Sequence, residues 1–336
     1  MADEARIWTD RELKDLEDRI REVYEGAGSD IEAEWQTYMQ RGEKRLKRLY
    51  DAYLNAPDSE KKAALEAYQQ AVRNYTFMNN RYQTMLDNVT LRLATTNQTA
   101  LDYVNGILPD IYMHNFNAYV LPQNQLEGFG LNFALMDQHT LKVRLLAGEV
   151  ELPYKNLDKI KDQLWNRRAL NNSLLTGLLT GESMSKIAER IKPIVGNNQA
   201  AAMRNARTMV TGAENEGRLD RYKDLQSQGA VMHKVWIATP DGRVRDWHLS
   251  MDGQEVDVDS VFTDGNGAKL RYPGDPHAPG NTVYNCRCAM SSKFIGMRRS
   301  DGTIRYMPKD EAEPDLHDAQ IAAEKARRES DAGVRK

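Results

Sequence analysis

The stretch Glu214–Ile237, ENEGRLDRYKDLQSQGAVMHKVWI, decides the fold, because within it the spacing of apolar residues changes from helical to extended. Upstream, from about Asn198 to Gln228, the chain reads as one helix bearing Arg204, Arg207, Glu214, Glu216 and Arg218, and Gly229 is placed to end it. Downstream, Val231, His233, Val235 and Ile237 alternate. Pro240-Asp241-Gly242 is a turn signature, so a hairpin is expected there, and Asp252-Gly253 marks a second turn flanked by Val256 and Val258. The C-terminal part is expected to be helices followed by a small antiparallel sheet.

Working back from this point, helix breakers are few up to about Tyr119. Thr9 with Glu12 and Ser29 with Glu32 have capping-box spacing, so helices are expected to begin at both places, separated by Gly26-Ala27-Gly28. Asn55-Ala56-Pro57-Asp58-Ser59 marks the next break, with Ser59 as N-cap of a third, longer helix. In that helix Leu65, Tyr68, Val72, Tyr75, Asn79, Tyr82, Leu86, Val89 and Leu93 alternate at spacings of three and four, the pattern of a seam that packs on another helix. The second helix offers Ile31, Trp35, Tyr38, Leu46, Leu49 and Tyr53, so an antiparallel helical hairpin is the simplest arrangement, with pairing to a sibling copy as the other. Arg41–Arg48 carries five positive charges against one negative and reads as a solvated helix face rather than a nucleic-acid contact. Residues 121–152 are mixed in pattern. Helical spacing returns near Leu157, and Ser183 should cap a helix bearing Met184, Ile187, Ala188 and Ile191 that Pro193 stops.

The expected fold class is α+β, mostly α: a long helical N-terminal arm at 1–120, a mainly helical connector at 121–198, a domain with a small antiparallel sheet at 199–295 that folds by itself, and a polar, partly disordered tail at 296–336. Composition narrows the function. The formal net charge of -3 over 336 residues has neither the excess of an obligate nucleic-acid binder nor that of an acidic mimic. Two cysteines one residue apart are no secreted disulfide framework, so synthesis in a reducing cytoplasm is expected. The first residues have no export-signal pattern, and no stretch approaches the ~18 apolar residues of a membrane helix.

Chemistry concentrates late in the chain. Asp246 with His248, and Cys286 with Cys288, are i,i+2 pairs that on extended backbone would each project from one face, and together they could supply four ligands to a structural zinc ion. His277 competes as the fourth ligand, and the alternative is a His248 hydrogen-bonded within the fold beside two buried thiols. A catalytic metal of a nuclease-like enzyme is the rival reading. The region has no HExxH, no Walker loop and no Glu beside the His in the deaminase manner, so no catalytic and no cofactor-binding residue is assigned.

Ala206-Arg207-Thr208-Met209-Val210, Glu214-Asn215-Glu216-Gly217-Arg218, Trp236-Ile237-Ala238, Arg245-Asp246-Trp247-His248, Asp252-Gly253, Tyr272-Pro273-Gly274-Asp275-Pro276 and Asn285-Cys286-Arg287-Cys288 follow one another in an order that resembles the phage Mu F-like family of minor head, or head morphogenesis, proteins. The resemblance spans roughly Ala200–Ser292 and departs at Met209, where the family often has an acidic residue. It implies a virion protein of a tailed bacteriophage, present in few copies, associated with the portal protein or the inner capsid surface near it. In some cases such proteins bind genomic DNA or leave the head with it, which brings DNA packaging and ejection into view. The helical arm, outside the resemblance, is expected to mediate association with the portal or with sibling copies. A DNA-binding adaptor using Arg41–Arg48 and the tail cations Lys325, Arg327, Arg328, Arg335 and Lys336 is a third reading, weakened by Glu324, Glu329 and Asp331 among them.

Overall fold

The computed structural model describes residues 4–40, 43–76, 80–118, 131, 133–156, 159–182, 184–239 and 243–307. Among the described residues seven helices come first: α1 Glu4–Gln40, α2 Glu43–Leu54, α3 Lys61–Thr76, α4 Asn80–Ala118, α5 Gln138–Leu146, α6 Lys159–Leu179 and α7 Met184–Ser227. Then follow β1 Ala230–Ile237, α8 Asp246–Leu249, β2 Glu255–Asp257, β3 Phe262–Thr263, β4 Lys269–Leu270, α9 Gly280–Val283, β5 Ala289–Arg298 and β6 Ile304–Tyr306. The chain is α+β and mostly α, with its small antiparallel sheet near the C-terminal end. No helix among the described residues is long and apolar enough to cross a membrane.

Two compact units result, and neither is a continuous stretch. One holds Glu17–Tyr103 and Asn156–Met203; the other holds Met1–Leu16, Val104–Lys155 and Arg204–Lys336. This differs from a linear series of arm, connector, domain and tail, because α1, α4 and α7 each contribute to both units. The boundary at 295 also falls inside β5.

In the helical unit α1 and α4 run antiparallel. Tyr24 Oη donates to Asn97 Oδ1 at 2.6 Å, Arg92 pairs with Asp30 at 2.5 Å, Asn88 Nδ2 donates to Glu34 Oε1 at 2.8 Å, and the rings of Tyr38 and Tyr82 lie 5.9 Å apart. Partner numbers fall on α4 as they rise on α1. An antiparallel pair is thus formed within the chain, but between α1 and α4: the expected single third helix from Ser59 corresponds to α3, which begins at Lys61, and α4. The seam residues Tyr82, Leu86, Val89 and Leu93 are buried on α4, whereas Tyr68 and Val72 are buried on α3, where the Tyr68 hydroxyl donates to Leu178 O; Asn79 lies outside the described residues.

Gly26-Ala27-Gly28 does not break α1, and Thr9 and Ser29 sit inside it rather than capping it. Two glycines weaken a helix by about 1 kcal/mol each. Leu16, Ile20, Tyr24, Ala27, Ile31 and Trp35 form one stripe through the glycines, and each large side chain buried contributes about 1.5–3 kcal/mol. Burial wins. The same holds at Pro193, which lies inside α7 instead of ending it. The proline costs about 3 kcal/mol, but Ile187 and Ile191 before it and Ile194 and Val195 after it are buried on one face. Ser183 lies outside the described residues. A chain of amides adds specificity: Asn97 Nδ2 donates to Asn198 Oδ1 at 2.9 Å, and Asn198 and Asn166 exchange bonds of 3.0 and 3.2 Å. Such a network fixes helix register, since a slip leaves every member unpaired.

In the mixed unit the sheet order is β2-β1-β5-β6, antiparallel throughout, with β3 and β4 as a separate pair. Met232 and Trp236 of β1 and Met290 and Phe294 of β5 pack with Leu219, Tyr222 and Leu225 of α7 in one core. In β1 it is the even-numbered residues that are buried most regularly, so Val231 and His233 face the other way. The turn Pro240-Asp241-Gly242 lies outside the described residues, and β1 meets β2 only after the short helix α8.

Candidate functional site

The site is built on α7, and one feature of its sequence makes that possible. Gly217 has no side chain, and a Cβ there would lie 2.3 Å from the carbonyl oxygen of Tyr112 on α4. The two helices touch backbone to backbone. Around this contact Glu214, Asn215 and Arg218 each hold a partner. Glu214 receives Arg6 from α1 and Arg218 from its own helix, Asn215 Nδ2 donates to Thr211 O at 2.8 Å, and Arg218 donates to Asn115 Oδ1 and Met290 O at 3.3 and 3.1 Å. Arg6 and Glu214 are both buried, so the helical N-terminus is tied by charge into the unit that holds the sheet.

The turn Tyr272–Pro276 docks on the same helix. Gly274 adopts φ +83° with the backbone of Gly212 at 2.7 Å from where its Cβ would be, which only glycine tolerates on both counts. Asp275 organises the turn: its carboxylate accepts from the backbone and guanidinium of Arg271 and from His277 N. Burial opposes ionisation, yet these donors hold the Asp275 carboxyl below the usual range. Glu216 is the reverse case. Burial, and then the charge of Asp220 one turn on, raise it to about 7.

Asn285–Cys288 is irregular backbone, and side chains from elsewhere satisfy it. Thr208 Oγ1 accepts from Asn285 N at 3.1 Å, Thr211 Oγ1 donates to Cys286 O at 3.0 Å, and Arg287 O receives Thr239 Oγ1 at 2.6 Å and Arg6 at 3.3 Å. Asn285 itself takes φ +55°. Thr208 stood in a quoted motif without an assigned role and Thr211 was not singled out by sequence reasoning; their i,i+3 spacing on one helix face was the available signal. Met209 is fully buried, so an apolar residue suits its position here.

This scaffold brings His248, Cys286 and Cys288 together. All three are buried, and their ligand atoms lie within 4.8 Å of one another. His248 Nδ1 is 3.6 Å from Cys286 Sγ and 3.7 Å from Cys288 Sγ. Asp246 does not join them. Arg245 to Leu249 forms a helical turn rather than a strand, so the i,i+2 pair diverges by some 200°, and Asp246 is exposed. Nor does His277, whose Nε2 lies 2.7 Å from Glu151 Oε2 at the surface. The two thiols differ. A hydrogen bond between the sulfurs, with burial, raises Cys286 well above the thiol range, and the same bond, with His248 beside it, lowers Cys288.

Residues 168–291 match the family described as Phage Mu protein F like protein, which contains the helix, turn and cysteine segment just described. The chain is 27% identical over 241 residues to the minor head protein GP7 of Bacillus phage SPP1, covering 68% of this chain and 77% of that one. It is also 34% identical over 137 residues to the NAD(+)–arginine ADP-ribosyltransferase EFV of Enterococcus faecalis strain ATCC 700802 / V583, covering 40% of this chain and 27% of that one. No solved structure matches. Residues 168–291 are thus similar to the Mu F-like family, and the chain more widely is similar to a phage minor head protein.

Proposed function

We propose that this chain is a minor head protein of a tailed bacteriophage, built into the virion as a non-enzymatic part at the portal or against the inner capsid surface. The observation that carries this reading is the extent of the similarity to the SPP1 minor head protein. Its 241 residues exceed what lies from residue 168 onward, so part of the helical region matches as well. The shared stretch with the ADP-ribosyltransferase spans only about a quarter of that protein, and we read it as the head-morphogenesis segment rather than the transferase domain.

The organisation of the site supports a structural role. Glu214, Arg218, Asp275, Thr208 and Thr211 are each engaged in holding backbone or a neighbouring charge. The helical seam is occupied within the chain, so contact with the portal or with sibling copies falls to the outward faces of the helices. Arg45, Lys47 and Arg48 of α2 are exposed and are read as a solvated face, with contact to packaged DNA a secondary role.

Quantitative protein analysis of purified heads tests the assignment. The chain should be present in particles in few copies, and particles made without it should be defective in assembly or infectivity. Its absence from both precursor and mature heads would overturn the proposal. Transfer of labelled ADP-ribose from NAD to arginine by the purified chain would overturn the non-enzymatic part alone.

A further inference from the structure

We propose that His248 Nδ1, Cys286 Sγ and Cys288 Sγ hold one zinc ion, with water completing the tetrahedron, and that the ion fastens helix α8 to the start of β5. Tetrahedral zinc with bonds of about 2.3 Å to sulfur and about 2.0–2.1 Å to nitrogen sets its nitrogen and sulfur ligands about 3.6 Å apart. The observed separations are 3.6 and 3.7 Å. A single thiol hydrogen bond to Nδ1 would favour one sulfur, whereas the two sulfurs stand at nearly equal distances from it.

A second observation points the same way. The other ring nitrogen of His248, Nε2, is buried with no hydrogen-bond partner among the described residues. The ring thus forgoes a bond on one side while aiming Nδ1 at two sulfurs, an orientation that a metal–nitrogen bond compensates. Trp236 closes over the ring edge-on, with centroids 5.5 Å apart, so the donors sit in an apolar wall. Soft thiolates with imidazole select zinc over magnesium or calcium. No carboxylate among the described residues belongs to the set, so its protein donors are two sulfurs and one imidazole nitrogen. On binding, the thiol protons pass to the buffer.

The test uses the full chain, purified without a histidine tag from zinc-supplemented cells. Elemental analysis should give one zinc per chain in the native protein and in Asp246→Ala and His277→Ala, and little in Cys286→Ser or Cys288→Ser. Exchange for cobalt should produce sulfur-to-metal charge-transfer absorption together with the strong visible bands of four-coordinate cobalt. Should the serine variants fail to fold, titrating the native chain with a thiol-specific mercurial gives the answer without them, because zinc should leave in step with the two thiols. A folded native chain with negligible zinc and no charge-transfer band on cobalt addition overturns the proposal. Loss of the metal in Asp246→Ala overturns the ligand set.

Discussion

Replacing Gly217 by alanine asks whether the backbone contact between α4 and α7 holds the mixed unit together. The new Cβ would lie 2.3 Å from Tyr112 O, 3.1 Å from Tyr112 C and 3.2 Å from Phe116 N, where ordinary contact begins at 3.4 Å. These are backbone atoms that cannot swing aside, so the helices must part by about 1 Å. A gap of that size forfeits a quarter to a half of the dispersion energy of the atoms facing it. Tyr112 and Phe116 are both buried there, and Tyr112 Oη donates to Asp220 at 2.8 Å. Overpacking of this kind costs about 1–3 kcal/mol and a strained hydrogen bond about 1 more, against a gain of about 1 from alanine's helix propensity. The net loss is about 2 kcal/mol. In urea that lowers the midpoint of the mixed unit's transition by about 1 M. Gly106→Ala on α4 is the control: nothing lies within 4 Å of its Cβ, so it should raise stability by about 0.5–1 kcal/mol. A Gly217→Ala midpoint at or above that of the parent chain, with the control behaving as stated, refutes the close-contact reasoning.

Three further outcomes are expected. Glu216 titrates near 7 in the fold against 4.5 when exposed, so the stability tied to its neutral form is complete below about pH 4.5 and is lost as pH rises through 7. Glu216→Gln should remove that loss, making the variant more stable at pH 8 by up to about 3 kcal/mol, at about 1.36 kcal/mol per pH unit, with denaturation curves converging at pH 4.5; parallel curves across this range would speak against it. Arg6→Met removes one charge partner of the buried Glu214 carboxylate, and should cost about 3–5 kcal/mol, whereas Arg6→Met with Glu214→Leu should cost less than Glu214→Leu and Arg6→Met summed. Deleting residues 1–16, or starting the chain near Asn156, removes helix from the unit that holds the sheet, so neither product should unfold cooperatively by calorimetry.

Much of the site was legible because turns announce themselves locally. Gly229 ends α7 at φ +99°, Gly253 turns at φ +79°, and the Cys286/Cys288 pair converges on one partner as its spacing suggested. What sequence reading missed was decided at a distance. Gly26, Gly28 and Pro193 carry local signals to stop a helix, and long apolar stripes overrode them. Asp246 lost its place beside His248 because four residues curled into a turn whose hydrogen bonds the alternation of neighbouring residues does not reveal. That the C-terminal segment shares its compact unit with the start of α1 was hidden for a related reason. Arg6 is bonded to Glu214, and no local pattern links positions 208 residues apart.

That separation governs how the protein can be made. A ribosome adding about 5–20 residues per second takes roughly 10–40 s to travel from Arg6 to Glu214, and longer to reach Arg287, whose carbonyl the same guanidinium meets. Throughout that interval the first turns of α1 are outside the ribosome with their apolar and charged face uncovered. The unit that carries the sheet can close only once its last strands emerge and capture a helix made first. The mixed unit therefore closes in one late event rather than by consecutive segments maturing one after another.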